Sequence, residues 1–158
     1  MNKIYHDWDQ IDRWTTRIAL DILKTDWRPD YVVGLTRGGL VPAVLLSHLL
    51  GVPMHTLKVQ LRDGEEDCEM NCWMPEDVTK AKNVLIVDDI NDTGKTLAWI
   101  RDDWEKSVFK GDIAYHWHKR IKVAVLVNNL ASTEQVDWCA QDINKAEDPR
   151  WIVFPWEK

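Results

Sequence analysis

The sequence predicts an α/β fold with a mostly parallel central sheet flanked by helices, and three observations predict it. Val84-Leu85-Ile86-Val87 and Val123-Ala124-Val125-Leu126-Val127 are unbroken aliphatic runs, the pattern of strands buried on both faces of a parallel sheet. Segments with helical apolar spacing stand between such runs. Two strand-like segments, Tyr31 to Leu35 and Val84 to Val87, lead into glycine-bearing turns that open a helix, at 36–39 and 93–96, and the carboxyl ends of strands are where open α/β sheets bind ligands.

The elements follow in order. Asp7 with Gln10 three residues on resembles a capping box, and Ile11, Trp14, Ile18 and Ile22 then recur at near-helical spacing to about Lys24. Tyr31 to Leu35 reads as a short buried strand and Thr36-Arg37-Gly38-Gly39 as a tight loop. Leu40 to Leu50 follows as a helix, with Pro42 near its start and Gly51 beyond its end. His55 to Leu61 is the next strand. Residues 62–82 are acidic and mixed in composition, too long for an ordinary connection, and are expected to form a mobile lid loop.

Val84 to Val87 is a strand of four consecutive aliphatic residues, which places Asp88 and Asp89 at its carboxyl end, and the helix after the turn runs from Leu97 to Trp104. Ser107 to Arg120 is a polar and aromatic connection with His116-Trp117-His118 expected on a surface loop. Lys122 to Val127 is a further parallel-type strand that ends at Asn128.

With 158 residues the chain has the size of one domain with one substantial core. Lys and Arg total 20 against 26 Asp and Glu, and a net charge of −6 argues against a broad nucleic-acid-binding face. No stretch is apolar for long enough to span a membrane, and the Met-Asn-Lys-Ile-Tyr-His start has no signal-peptide character, so a cytoplasmic location is expected. Cys68, Cys72 and Cys139 fit no standard zinc spacing with His116 and His118 and are expected as reduced thiols. The ten tryptophans are expected in the core or at subunit contacts.

The chemistry concentrates at 84–96. Thr93-Gly94-Lys95-Thr96 puts free backbone N–H groups at a helix start, a ready anion site. Gly94-Lys95-Thr96 looks like the end of a P-loop, but Asp89 occupies the position five before Gly94 where that loop requires glycine. Asp88, Asp89 and Asp92 would repel phosphate unless they engage sugar hydroxyls, a divalent cation or a protonated base. Arg37-Gly38-Gly39 is a second anion site, since glycine admits close backbone approach and arginine supplies charge.

This segment resembles the phosphoribosyl pyrophosphate (PRPP) signature of the type I phosphoribosyltransferases, a hydrophobic strand with two acids followed by Asp-Thr-Gly-x-Thr. Gly34 to Ala43 resembles the pyrophosphate loop of the bacterial xanthine-guanine members, and Asp148 to Glu157 resembles their C-terminal end. The resemblance implies the type I fold, a single domain over 1–158, and a small hood over the base made with residues 129–158. It implies that Asp88 and Asp89 hold the ribose and that Asp89 serves the metal, Mg²⁺. By the same resemblance 92–96 (Asp92, Thr93, Gly94, Lys95 and Thr96) wrap the 5′-phosphate, Asp92 exchanges a proton with N7 of the base, and Arg37 and Gly38 bind pyrophosphate.

Trp151 would stack on the purine and the Ile152 backbone would contact its 2-position edge. Asn128 stands where 6-oxopurine members commonly carry a lysine that reads the 6-oxo group, and an amide can both donate and accept. The expected activity is phosphoribosyl transfer from PRPP to guanine, xanthine or hypoxanthine, in purine salvage, by a homodimer or homotetramer. The alternatives are transfer to another base, or a non-catalytic PRPP-binding regulator.

Overall fold

The computed structural model of the protein describes residues 1–62 and 65–157. Eight strands and five α-helices follow in the order β1 (Asn2–Tyr5), α1 (Trp8–Leu23), β2 (Tyr31–Thr36), α2 (Leu40–Leu50), β3 (Met54–Arg62), β4 (Glu65–Cys68), α3 (Trp73–Thr79), β5 (Val84–Asn91), α4 (Lys95–Trp104), α5 (Ile113–His116), β6 (Ile121–Asn129), β7 (Trp138–Ile143) and β8 (Arg150–Val153). The main sheet has the order β4-β3-β2-β5-β6-β7, parallel except for β4, and β1 pairs with β8 in a separate two-stranded parallel sheet.

Side-chain alternation divides the central strands between two cores. Val84 and Ile86 of β5 face one side with Val33, Leu35, Val123, Val125, Leu97, Ile100 and Trp104. Leu85 and Val87 face the other with Ile11, Trp14, Ile18 and Ile22 of α1, Leu46 of α2, and Ile152 and Phe154 near the C-terminus. Each aliphatic run therefore serves two layers of helix, the arrangement its lack of alternation implies.

The helix ends follow the chemistry read from the sequence. The Asp7 carboxylate accepts from the Gln10 N–H at 2.8 Å, and Gly51 ends α2 in the left-handed region at φ 67°.

Several expectations change. Strand β5 continues four residues beyond Val87 through Asp88, Asp89, Ile90 and Asn91, because β6 keeps pairing with it as far as Asn91 opposite Asn128 after β2 has stopped at Gly34 opposite Val87. The stretch 62–82 carries secondary structure: β4 pairs antiparallel with β3, and α3 buries Met74, Pro75 and Val78. The cause is that Met74, Pro75 and Val78 fall on one helical face after Asn71, whose side-chain oxygen accepts from the Met74 N–H at 2.8 Å while Asp103 accepts from the Asn71 N–H. Asp63 and Gly64 of the expected lid lie outside the described residues.

The stretch expected as hood, 129–158, also divides. β7 joins the main sheet and only β8 with the following turn pairs with the N-terminal strand. Trp117 is buried and the His118 ring contacts Asp137 at 3.0 Å, so 116–118 is a tethered turn and not a free surface loop. Of the tryptophans, Trp14, Trp104 and Trp117 are core residues, whereas Trp8, Trp73 and Trp151 are exposed.

Candidate active site

The chain leaves β2 toward β3 on one side of the sheet and returns to β5 on the other, so the β2–β5 boundary is the switch point of the topology. The loops at the carboxyl ends of these two strands, 36–39 and 88–94, meet there. A Cβ on Gly38 would lie 2.1 Å from an Asp89 carboxylate oxygen, and one on Gly39 would lie 2.3 Å from the Val87 carbonyl oxygen. Gly39 is thus required by close approach of backbone, whereas a side chain at 38 would displace the Asp89 carboxylate. The Thr36–Arg37 peptide is cis, Gly39 N–H donates to the Leu35 carbonyl at 2.8 Å, and the Arg37 side chain is exposed.

Strand alternation gives the paired acids opposite parity, yet their carboxyls stay close enough to interact. Asp88 has the parity of Val84 and Ile86, and it lines a concavity of about 50 Å³ with Ile90, Asn91, Val125 and 92–97. Asp89 has the parity of Leu85 and Val87 and faces Gly38. The Asp89 N–H donates to the Asp88 carboxylate at 2.9 Å, and the Ile90 N–H to the Asp89 carboxylate at 2.7 Å. Burial holds the Asp88 carboxyl well above the ordinary range, and the Asp89 charge adds to the rise. Burial also pushes Asp89 up, to about 6, with the nearby Glu157 carboxylate contributing and hydrogen bonds opposing. Among the described residues neither acid forms an ion pair, so the two share a site that favours a bound proton or cation.

The turn after β5 opens α4. Gly94 has φ 94°, and a Cβ there would lie 2.6 Å from Thr133 Oγ1 and 2.8 Å from Ser132 Oγ. Ala98 is the first residue of α4 whose N–H reaches a backbone carbonyl, that of Gly94 at 3.0 Å, while the Lys95 N–H turns to Thr93 Oγ1 at 3.3 Å. The N–H groups around Gly94 and Thr96 are therefore oriented for an anion. Behind the turn, Arg101 of α4 grips the buried Glu134 through two hydrogen bonds of 2.6 Å, which fixes the 132–134 loop under Gly94. A larger open groove of about 510 Å³ runs along α4 beside Leu61, Glu66 and Trp99, but it shares only Lys95 with the turn and includes none of Asp88, Asp89 and Asp92.

Asp92 sits in a net that sequence reasoning did not reveal. Asn129 donates to the Asp92 carbonyl at 2.9 Å, and the Lys145 ammonium lies 2.9 Å from the Asp92 carboxylate. The backbone N–H of Lys145 donates in turn to the Asn129 side-chain oxygen at 3.0 Å. Asn128, expected to read the base, has its amide engaged at both ends: its oxygen accepts from Asn91 at 2.9 Å and its nitrogen donates to Asp142 at 3.0 Å. Trp151 is 56% exposed, while Ile152 on the opposite face of β8 is buried in the core. The C-terminal turn Pro155–Glu157 stacks Trp156 on Phe154 at 4.9 Å and brings Glu157 toward Asp89.

The phosphoribosyl transferase domain, as a family model, matches residues 1–157. The xanthine-guanine phosphoribosyltransferase of Cereibacter sphaeroides is 31% identical over an alignment of 165 residues that covers 95% of this chain and 84% of that protein. A protein of the same name from Gluconobacter oxydans is 26% identical, with 95% and 82% covered. The crystal structure of a purine phosphoribosyltransferase from Pyrococcus horikoshii is similar with a TM-score of 0.75 and 32% identity, over 100% of this chain and 96% of that one. With acids and anion loops converging at the switch point of a sheet that the family match spans from end to end, this chain belongs to the phosphoribosyltransferase family and has the fold of its type I members.

Proposed function

We propose that the chain transfers the 5-phosphoribosyl group of PRPP to a purine base, with guanine, xanthine and hypoxanthine favoured, in purine salvage. The observation that carries this reading is the contact of Gly38 with Asp89, which joins a glycine loop for pyrophosphate to the acids and phosphate turn of β5. In the reaction the C1′–O bond to pyrophosphate breaks, the bond from C1′ to the base nitrogen forms, and the base loses a proton. Arg37 and the 38–39 amides hold the leaving pyrophosphate, and 93–96 hold the 5′-phosphate, so the two ends of the donor fix C1′ between them. Asp88 and Asp89 face the ribose, where negative charge stabilises the cation-like sugar. Asp92 accepts the N7 proton of the base, Trp151 offers its free ring as a stacking face, and Ile152 anchors the strand that carries it.

Mg²⁺ is the expected cofactor. It takes one or two carboxylates together with water and substrate phosphates and needs no protein cage. The raised, unpaired acids fit that demand, and Asp89, which faces the pyrophosphate loop, would hold the ion. When bound it neutralises charge on the leaving pyrophosphate. Among the described residues no helix is long and apolar enough to cross a membrane, and the expected location is cytoplasmic. A homodimer or homotetramer would cover Leu20, Leu23, Val44 and Leu49, apolar side chains left exposed on α1 and α2.

A panel of guanine, xanthine, hypoxanthine, adenine and uracil, each with PRPP and Mg²⁺, tests the reading by absorbance and chromatography of the nucleotide formed. Turnover of oxopurines that requires both PRPP and Mg²⁺ is expected. PRPP binding in calorimetry without turnover of any base would replace it with the regulator.

A further inference from the structure

We propose that Lys145 is the residue that selects the base, its ammonium reading an acceptor at C6 of the purine from a position beside Asp92. The inference rests on the purine reading above and deepens it. Asn128 is the residue at the end of β6 that alignment of motifs offers for this task, but both ends of its amide are committed to Asn91 and Asp142. An amide so tied can turn toward a ligand only by breaking hydrogen bonds within the sheet end.

Lys145 enters from a different element, the turn after β7. Its ammonium lies 2.9 Å from the Asp92 carboxylate, and its side chain is only 21% exposed. The backbone beneath is fixed, since the Lys145 N–H donates to Asn129 at 3.0 Å and Asn144 accepts from the N–H groups of Ala146 and Asp148. Asn129 also holds Asp92, through its carbonyl at 2.9 Å. One asparagine therefore sets the relative position of an acceptor, Asp92, and a donor, Lys145.

That spacing matches one edge of a purine. N7 and the group on C6 are neighbours on the same edge, with an oxygen at C6 of guanine and an amino group at C6 of adenine. A base whose N7–H faces Asp92 brings its C6 substituent to the side where the ammonium stands. Lysine has three donors and no acceptor, so it receives an oxo group and opposes an amino group. Arg37 and Lys95 belong to the two phosphate-side loops, which leaves Lys145 as the cation paired with Asp92 among the described residues.

Hypoxanthine and adenine, with their monophosphates IMP and AMP, test this, because the members of each pair differ only around C6. The wild-type protein should bind IMP over AMP in calorimetry and turn over hypoxanthine over adenine. Lys145→Met should lower hypoxanthine kcat/KM by roughly 10- to 100-fold and erase most of the IMP preference, with PRPP affinity held within about twofold. Lys145→Arg, again donors only, should keep the order of preference. An unchanged IMP-to-AMP ratio in Lys145→Met, in a variant that melts like the wild type, overturns the assignment, as does a wild-type protein that binds AMP as well as IMP. If IMP preference is present and lost with Lys145→Met while no base is turned over, Lys145 stands and the transferase reading falls.

Discussion

Asp89 stands at the centre of the site and destabilises the fold that holds it. Its carboxyl is raised from 3.8 to about 6 by burial, so the folded state binds a proton more tightly than the unfolded state does. The contribution to stability is therefore unfavourable near neutral pH and fades as pH falls through 6 toward 4. Asp89→Asn should stabilise the protein by about 1–3 kcal/mol at pH 7.5, several degrees in Tm, with the advantage shrinking at pH 5. Melting curves of both proteins across that range check it, and a gap that stays constant with pH would remove Asp89 as its source. The same substitution should abolish Mg²⁺-dependent PRPP binding. At this scale the motif residues were legible in the sequence, because acids clustered after an aliphatic strand have few other uses. Lys145 was not, since it lies 53 positions from Asp92 and a lone lysine in a polar turn carries no local signal. The opposite parity of Asp88 and Asp89 along the strand became visible only once β5 was seen to continue through them.

Among the elements, the two loops at the switch point show how adjacent glycines can serve different ends. The Cβ of an alanine at 38 would strike the tip of the Asp89 side chain at 2.1 Å, and that side chain can rotate away. The Cβ of an alanine at 39 would strike backbone, the Val87 carbonyl at 2.3 Å and Leu35 N at 2.8 Å, which cannot move without opening the β2–β5 pair. Gly38→Ala should therefore cost little stability, roughly 1 kcal/mol or less, yet weaken PRPP binding tenfold or more by displacing the acid. Gly39→Ala should cost several kcal/mol. Chemical denaturation paired with calorimetry separates the two, and equal stability losses would contradict the distinction. The sequence showed that a Gly-Gly loop stood at a strand end, but which backbone it meets is a property of the β2–β5 neighbour relation. The same limit explains 62–82, where acidic composition argued for a loop while Met74, Pro75 and Val78 anchor α3 in the core. Three buried apolar side chains in seven residues are too short a pattern to outweigh their polar surroundings.

Across the whole molecule, the proposed base side of the site is built from both ends of the chain. Asn2, Lys3, Ile4 and Tyr5 pair in parallel with Arg150, Trp151, Ile152 and Val153, so among the described residues β1 is the only strand partner of the segment that carries Trp151. The C-terminal motif was legible from Trp-Ile and Pro-Trp, whereas the N-terminal strand is four mostly exposed residues whose partner lies at the far end of the sequence. The proposed donor side depends on β2 and β5, which contribute to both cores, and on α4, which packs in one of them; among the described residues neither strand pairs with β1. The two halves of the site should thus respond separately to damage at the terminus. Removing residues 1–5 should leave the main sheet folded and PRPP affinity within about twofold, because no pairing of the donor loops is lost. The base KM should rise about tenfold as β8 loses its hydrogen-bonded neighbour and the stacking face loosens. Initial-rate kinetics with each substrate varied in turn distinguish these effects. Parallel losses in PRPP and base affinity would mean that the terminal sheet supports the whole site and not the base alone.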